Sequence, residues 1–267
     1  MEKFDLLFIG CGNMGEAILK SIKDLETKIG VVETNEERIK QLKVKYPEVS
    51  FLSHIDDSIK TKYLILAVKP QHYNQVNEMY QDKISTDYVI SIMAGIEIET
   101  LEKDFPSIAV CRVMPNTPAL FGESASAYIL NDIAENDEEF KQFIKEFLSK
   151  FGKAVKIKDE RLMDVITGLS GSGPAYFISI VEAFIEVGIK EGLTYNQAKD
   201  LILQTMKGTA IMLEKSNEAT STLKYKVMSP GGTTASGIYA LESNGIRKAI
   251  YEAVISATER VRSLRNK

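Results

Sequence analysis

Glycines at positions 10, 12 and 15, in the run Phe8-Ile9-Gly10-Cys11-Gly12-Asn13-Met14-Gly15, form a G-x-G-x-x-G motif directly behind a short apolar stretch. That spacing does anion chemistry with the main chain. Gly10 permits a tight turn, Gly12 lets a pyrophosphate approach the backbone, and Gly15 lets the next helix pack on the strand. The start of that helix offers unpaired N–H groups and a positive dipole end to the phosphates. A second apolar run ends at Glu33, about 20 residues on, where a carboxylate accepts from the adenosine ribose hydroxyls and repels a 2′-phosphate. Arg38 follows only a turn later, on a helix. The expected cofactor is a nicotinamide dinucleotide, NADH or NADPH, with the lean toward NADH.

Few other residues can do acid–base or metal chemistry. His54 and His72 are the only histidines, and both are expected at the surface beside strand ends. Cys11 and Cys111 lie too far apart for metal-ligand spacing, so no metal is expected and Cys11 is read as a small buried residue. The remaining segments of interest are rich in Gly, Ser, Thr and Pro: Ala67-Val68-Lys69-Pro70, Ser91–Ile96, Arg112–Ala119, Gly168–Tyr176 and Ser229-Pro230-Gly231-Gly232-Thr233-Thr234.

The elements that must position these residues alternate. Strand-like runs at Leu6–Ile9, Ile29–Val32, Val49–Leu52, Tyr63–Val68, Tyr88–Ile92 and Ile108–Val113 are separated by helical stretches at Asn13–Leu25, Asn35–Tyr46, Gln71–Gln81 and Ile96–Phe105. Two further strands are expected at Ser126–Leu130 and Ala154–Ile157, flanking a helix at about Asp137–Phe151. This is the pattern of an α/β, Rossmann-type doubly wound, mostly parallel sheet over residues 1–158. Over 159–267 strand signals vanish, which predicts an all-α domain. One helix is expected to open at Ser172, with Pro174 in its first turn, and its apolar residues from Tyr176 to Val187 run nearly all the way round. Such a helix must be buried on every side, which predicts dimerisation through this domain, the alternative being a central helix packed wholly within its own chain. A second helix is expected over Asn196–Lys215, and a third region from Gly237 onward, broken at Ser243-Asn244-Gly245.

The chain has 267 residues and a net charge of −4, so there is no basic surplus to neutralise nucleic-acid phosphates. No apolar run approaches the roughly 20 residues of a membrane span, and no signal peptide is visible, so a cytoplasmic location is expected.

Taken in order, the glycine motif, Met114-Pro115-Asn116-Thr117-Pro118-Ala119, Gly171-Ser172-Gly173-Pro174-Ala175-Tyr176 and Ser229–Thr234 resemble the pyrroline-5-carboxylate reductase family over essentially the whole chain. The resemblance implies the last step of proline biosynthesis, NAD(P)H-dependent reduction of a cyclic imine. It implies that Gly10–Gly15 (with Cys11, Asn13 and Met14) and Ala67, Val68, Lys69 and Pro70 hold the cofactor. Ile92, Met93, Ala94, Asn116 and Pro118 would lie near its nicotinamide end. Ser229, Gly231, Gly232, Thr233 and Thr234 would bind the substrate where the helical domain of one subunit meets the nucleotide domain of its partner, and Glu160 would contact it too. Thr234 and Ser229 are the expected catalytic hydroxyls. A homodimer, in this family often built further into a decamer, is also implied. The family commonly carries an arginine-containing turn where this chain has Glu33-Thr34-Asn35, a glycine at Ser124, and Leu-Arg-Asp at Leu223-Lys224-Tyr225.

The substrate's carboxylate needs donors, and Ser229–Thr234 supplies amides and hydroxyls ahead of a helix expected near Ser236. An imine nitrogen can arrive protonated from water, so a hydroxyl that orients the ring suffices. A hydroxyacid dehydrogenase of similar build would need a lysine in Leu169–Tyr176, which has none, and a non-catalytic dinucleotide sensor need not keep the Ser229–Thr234 loop.

Overall fold

The computed structural model describes residues 2–23 and 26–265. The chain divides by contact into two units, Met1–Ser172 with Ser256–Lys267, and Gly173–Ile255. The boundary expected at 158/159 marks where strands stop. The contacts divide later, inside a long helix, because Met163 is fully buried against Ala127 and Ile129 of the sheet.

The first unit is built on one sheet of β1 (Glu2–Ile9), β2 (Ile29–Val32), β3 (Ser50–Leu52), β4 (Ile59–Leu66), β5 (Ile84–Ser91), β6 (Ala109–Met114), β7 (Ser124–Leu130) and β8 (Gly152–Lys156). The order is β3-β2-β1-β4-β5-β6-β7-β8. Strands β1 to β6 run parallel, β7 is antiparallel to β6, and β8 is parallel to β7. The helices are α1 (Asn13–Ile22), α2 (Glu36–Lys45), α3 (Tyr73–Tyr80), α4 (Ile98–Asp104), α5 (Asp132–Glu135), α6 (Glu138–Ser149) and α7 (Leu162–Ile166). The last two residues of the helix expected over Asn13–Leu25 lie outside the described residues.

Strand β1 shows why the sheet sits in the middle. Leu6 and Phe8 are buried with Ile18 and Ile22 of α1 on one face, while Leu7 and Ile9 are buried with Tyr73 and Leu101 on the other. Burial on both faces is what a parallel strand covered by helices requires, and it is why these runs are continuously apolar. Because β1, β4, β5 and β6 are neighbours and run the same way, the loops after them line up along one sheet edge, where ligands of such folds bind.

The second unit is helical: α8 (Gly173–Lys190), α9 (Tyr195–Lys215), α10 (Thr220–Val227) and α11 (Thr233–Ser243), with α12 (Ile246–Arg265) beginning in it. Two expectations are corrected here. No helix opens at Ser172: the chain is already helical from Leu162, and a π-turn over Thr167–Gly171 joins α7 to α8, with Ser172 N–H donating to Thr167 O at 2.8 Å. Pro174 has no N–H to offer the Ser170 carbonyl in α-helical register, which is the kind of gap a wider turn absorbs. And α11 begins at Thr233, not near Ser236, because Gly232 serves as its cap.

The joined run Leu162–Lys190 is also longer than the sequence suggested, and by length and apolar composition alone it could cross a bilayer. Met163 and Ile185 aside, much of its apolar surface is not buried within one chain. Phe177 is 56% exposed and Ile178 59%, and Leu201 of α9 and Tyr251 and Ile255 of α12 are exposed as well. A surface this apolar needs a cover.

Candidate active site

Strand β1 feeds a turn that needs glycine. Gly10 has φ +87°, and a Cβ there would stand 2.8 Å from Val68 Cγ1 and 3.0 Å from the Ala67 carbonyl oxygen. The turn is pinned from both sides: Gly10 N–H donates to Val32 O at 2.8 Å, and Ala67 N–H donates to Ile9 O at 2.9 Å. Gly12 caps α1 without any side-chain bond, and a Cβ on it would meet open space. Asn13 and Met14 therefore open a helix whose first amides no side chain answers. Gly15 lies 3.2 Å, measured from a would-be Cβ, below the Gly10 carbonyl, so helix and loop pack closely.

Glu33 stands at the end of β2 facing this loop. Its Oε2 accepts from Cys11 N–H at 3.1 Å and its Oε1 from Asn35 N–H at 3.0 Å. Asn35 in turn caps α2, accepting from Arg38 N–H at 2.9 Å. Arg38 Nε donates to Cys11 O at 3.2 Å, and its Nη2 pairs with Glu16 of α1. Glu16 also accepts from Lys45 Nζ at 2.9 Å and from the Tyr46 hydroxyl at 3.3 Å. Burial works to raise the Glu16 carboxyl, but Lys45 and Arg38 outweigh it and hold the group below its usual range. Burial also pushes the Cys11 thiol up to about 12, so Cys11 is the inert packed thiol expected.

A cleft of about 600 Å³ opens between these residues and the end of β4, lined by Gly10, Cys11, Gly12, Glu33, Ala67, Val68 and Lys69. His54 and His72 are both exposed, as expected; His72 also lines the cleft, and His54 pairs with Asp56. Pro70 begins the short 3₁₀ turn Pro70–His72 that leads into α3. The positive-φ glycine, the open backbone at Gly12 and the uncapped helix end fit a dinucleotide's pyrophosphate, with Glu33 beside the adenosine ribose.

The loops after β5 and β6 adjoin this edge. Ile92 N–H donates to Leu66 O at 3.1 Å, and Met93 is buried with its N–H on Ser91 Oγ at 3.3 Å. Ala94 follows, half-buried, before the turn at Gly95. Asn116 is buried and its side chain is fully engaged. Oδ1 accepts from Ala125 N–H at 2.9 Å and from Ser124 Oγ at 3.1 Å, while Nδ2 donates to Ser170 O at 2.9 Å. That last bond satisfies the carbonyl Pro174 cannot serve. Asn116 thus holds its loop in place with its side chain turned inward, and Pro118 continues the loop into a 3₁₀ turn over Thr117–Phe121. Ser124, where the resembled family commonly has glycine, earns its place as a buried hydroxyl on Asn116.

Glu160 is also committed. Its Oε1 accepts from Arg112 Nη1 at 2.6 Å and from Ile98 N–H, the first amide of α4, at 2.9 Å. Arg112 is buried on β6 and pairs across the sheet with Ser91 and Ile129. Arg112 carries no role in the sequence reading, because nothing local distinguishes a strand arginine that finds a carboxylate 48 residues away.

In the helical unit, Gly231 has φ +71°, and Gly232 N–H donates to Ser229 O at 3.0 Å, closing a tight turn into α11. A Cβ on Gly232 would strike Ser229 Oγ at 2.3 Å. No side chain caps α11, and among the described residues the hydroxyls of Ser229, Thr233 and Thr234 have no protein hydrogen-bond partner. Amides and free hydroxyls thus meet at one helix end, an arrangement able to receive a small carboxylate.

A family model described as pyrroline-5-carboxylate reductase dimerisation matches residues 160–264, and one described as NADP oxidoreductase, coenzyme F420-dependent, matches residues 5–95. The pyrroline-5-carboxylate reductase of Synechocystis is 38% identical over 263 residues, 97% of each chain, and that of Methanosarcina acetivorans is 37% identical over 276 residues, the full length of both. The chain belongs to the pyrroline-5-carboxylate reductase family. Solved members of that family share its fold: the Streptococcus pyogenes reductase has a TM-score of 0.87 at 26% identity over 98% of this chain and 99% of its own. A Plasmodium falciparum pyrroline carboxylate reductase with NADP bound has a TM-score of 0.84 at 31% identity over 99% of each chain. In this reductase family the exposed apolar helices α8 and α9 fall inside the region matched as the dimerisation domain.

Proposed function

We infer that the chain reduces 1-pyrroline-5-carboxylate to proline, and that it uses NADH in preference to NADPH. One observation carries the reading: two uncapped helix ends, each behind a glycine turn, serve two anions, with α1 at the cofactor cleft and α11 beside three free hydroxyls. A reduced nicotinamide dinucleotide held by the first site supplies the hydride. The chain's own residues bind and orient. The first-turn amides of α11 and the Thr233 hydroxyl hold the substrate carboxylate. Thr234 Oγ1 accepts a hydrogen bond from the ring nitrogen, which carries a proton taken from water, and Ser229 Oγ sits on the other flank of the turn. Holding an already electrophilic C=N carbon in one orientation supplies most of the rate, so no strong protein acid is needed.

The lean to NADH is supported by Glu33, a carboxylate where a 2′-phosphate would bring two more negative charges. A second copy of the chain is the cover for the apolar faces of α8, α9 and α12, and dimers assemble further into a decamer. The buried, unpaired thiols of Cys11 and Cys111 accord with a cytoplasmic location.

The test is NADH oxidation in the presence of pyrroline-5-carboxylate, run beside piperideine carboxylates and hydroxyacids. Turnover of another class with none of the pyrroline would refute the substrate. A lower KM for NADPH than for NADH would refute the cofactor preference alone.

A further inference from the structure

We propose that Glu16, in the first turn of α1, is a specificity-determining residue: it holds Arg38 away from any 2′-phosphate and so tunes the choice between NADH and NADPH. The proposal rests on reading the cleft as a dinucleotide site, and it goes beyond Glu33, the residue at the ribose itself.

Enzymes that use NADPH place a cation close behind the second strand to meet the 2′-phosphate. This chain has one, Arg38, three residues after the cap of α2. Two of its three nitrogens are already engaged. Nε is on the Cys11 carbonyl at 3.2 Å, and Nη2 is on Glu16, whose side chain is only 13% exposed. Glu16 draws in the neighbouring charge as well, taking Lys45 Nζ at 2.9 Å on its other oxygen. Cys11 is thus held at its N–H by Glu33 and at its carbonyl by Arg38. One residue therefore separates the ribose-facing carboxylate from the guanidinium, which puts the cation within reach of the phosphate position while Glu16 neutralises it. A phosphate arriving there must compete with a preorganised, half-buried carboxylate for the Nη2 donor and for the guanidinium's charge.

Glu16→Gln keeps the shape and an acceptor while removing the charge. Arg38 stays anchored through Nε to Cys11 O, and its outer nitrogens become available to a phosphate. The experiment is titration calorimetry of NAD⁺ and NADP⁺ into the native chain, Glu16→Gln, and Glu16→Gln with Arg38→Ala, with the two kcat/KM values measured alongside. The expected result is a rise of about tenfold in NADP⁺ affinity relative to NAD⁺ for Glu16→Gln, the scale of one charge-assisted contact. Adding Arg38→Ala should abolish that rise. A rise below threefold, or one that survives the loss of Arg38, overturns the proposal. Arg38→Gln in an otherwise native chain gives an answer even if Glu16→Gln fails to fold. Its NADP⁺ to NAD⁺ ratio should stay within threefold of native, because Arg38 is held off the phosphate; a larger loss of NADP⁺ affinity means that Arg38 already meets the phosphate, and the proposal fails. The native ratio itself reports on Glu33, so a failure of the NADH reading and a failure of the Glu16 proposal appear in different numbers.

Discussion

Glu33 answers two main-chain amides, Cys11 and Asn35, through separate oxygens, so the carboxylate proposed for the ribose also sets the loop proposed for the phosphates. The loop's other fixed point is Gly10. Gly10→Ala puts a methyl against Val68 and the Ala67 carbonyl at a φ that L-residues avoid, at a cost of about 1–3 kcal/mol. The expected outcome is a lower melting temperature and at least a roughly tenfold weaker NAD⁺ dissociation constant by calorimetry; native affinity would mean that the loop accepts a side chain and that the turn argument is wrong. At the substrate loop, Thr234→Val should lower kcat/KM for the imine about ten- to a hundredfold, the scale of one or two hydrogen bonds to a charged group, while NAD⁺ affinity holds. Unchanged kinetics would take Thr234 out of the mechanism. What could be read at this scale follows a rule. Gly10, Gly15 and the Gly231-Gly232 pair were legible because a positive φ or a close approach is a demand made locally. Glu16, Arg112 and Ser124 were not, because each acts through a partner that only the fold brings near: Arg38 across two helices, Glu160 across the sheet edge, Asn116 across a loop.

Elements were legible wherever a single period ran through them. The strands of the sheet announced themselves as apolar runs because both faces are covered, and α9, expected from Asn196, starts one residue earlier at Tyr195, behind a reciprocal cap of the Thr194 hydroxyl and Gln197. The π-turn was not legible, since Gly168, Gly171 and Gly173 read as a break when the chain in fact stays helical through them. The short helix α10 was missed as well, having no side-chain cap and only a faint apolar face. Glu160 is the point where elements meet: one oxygen serves the buried Arg112 of β6 and the bare first amide of α4, and the Glu160 carbonyl accepts from Met163 N–H at the start of α7. Glu160→Ala leaves a buried guanidinium without its anion and should cost about 3 kcal/mol in urea unfolding. Replacing the pair together, Glu160→Leu with Arg112→Met, should recover most of that loss, since an apolar pair needs no desolvation. A loss well below 1 kcal/mol would show that the pair does not tie these elements. If Glu160→Ala instead raised the KM for the imine with stability intact, Glu160 would be a substrate contact after all.

At the scale of the whole molecule the question is which chain completes the site. Helices α8 and α9 expose large apolar side chains that the proposed symmetric partner would cover, and an isologous dimer would present each site twice. The family resemblance implies that the α11 turn of one copy works with the cofactor cleft of the other, and a mixture of two crippled chains decides the matter. Take one chain with Gly10→Ala, defective in the cleft, and one with Thr234→Val, defective in the substrate turn. Unfold and reassemble them together in equal amounts. If sites form across the interface, each mixed dimer pairs the sound cleft of one chain with the sound turn of the other, giving one native site and one doubly defective site. Random reassembly makes about half the dimers mixed, so activity should return to about a quarter of native, well above either variant alone. If each site is built within one chain, no native site can arise, and the mixture will show only the mean of the two variants. Recovery also requires that chains exchange, which mass measurement of the mixed species checks directly. Mixed dimers present without recovered activity would place the cleft and the turn of a single site on the same chain.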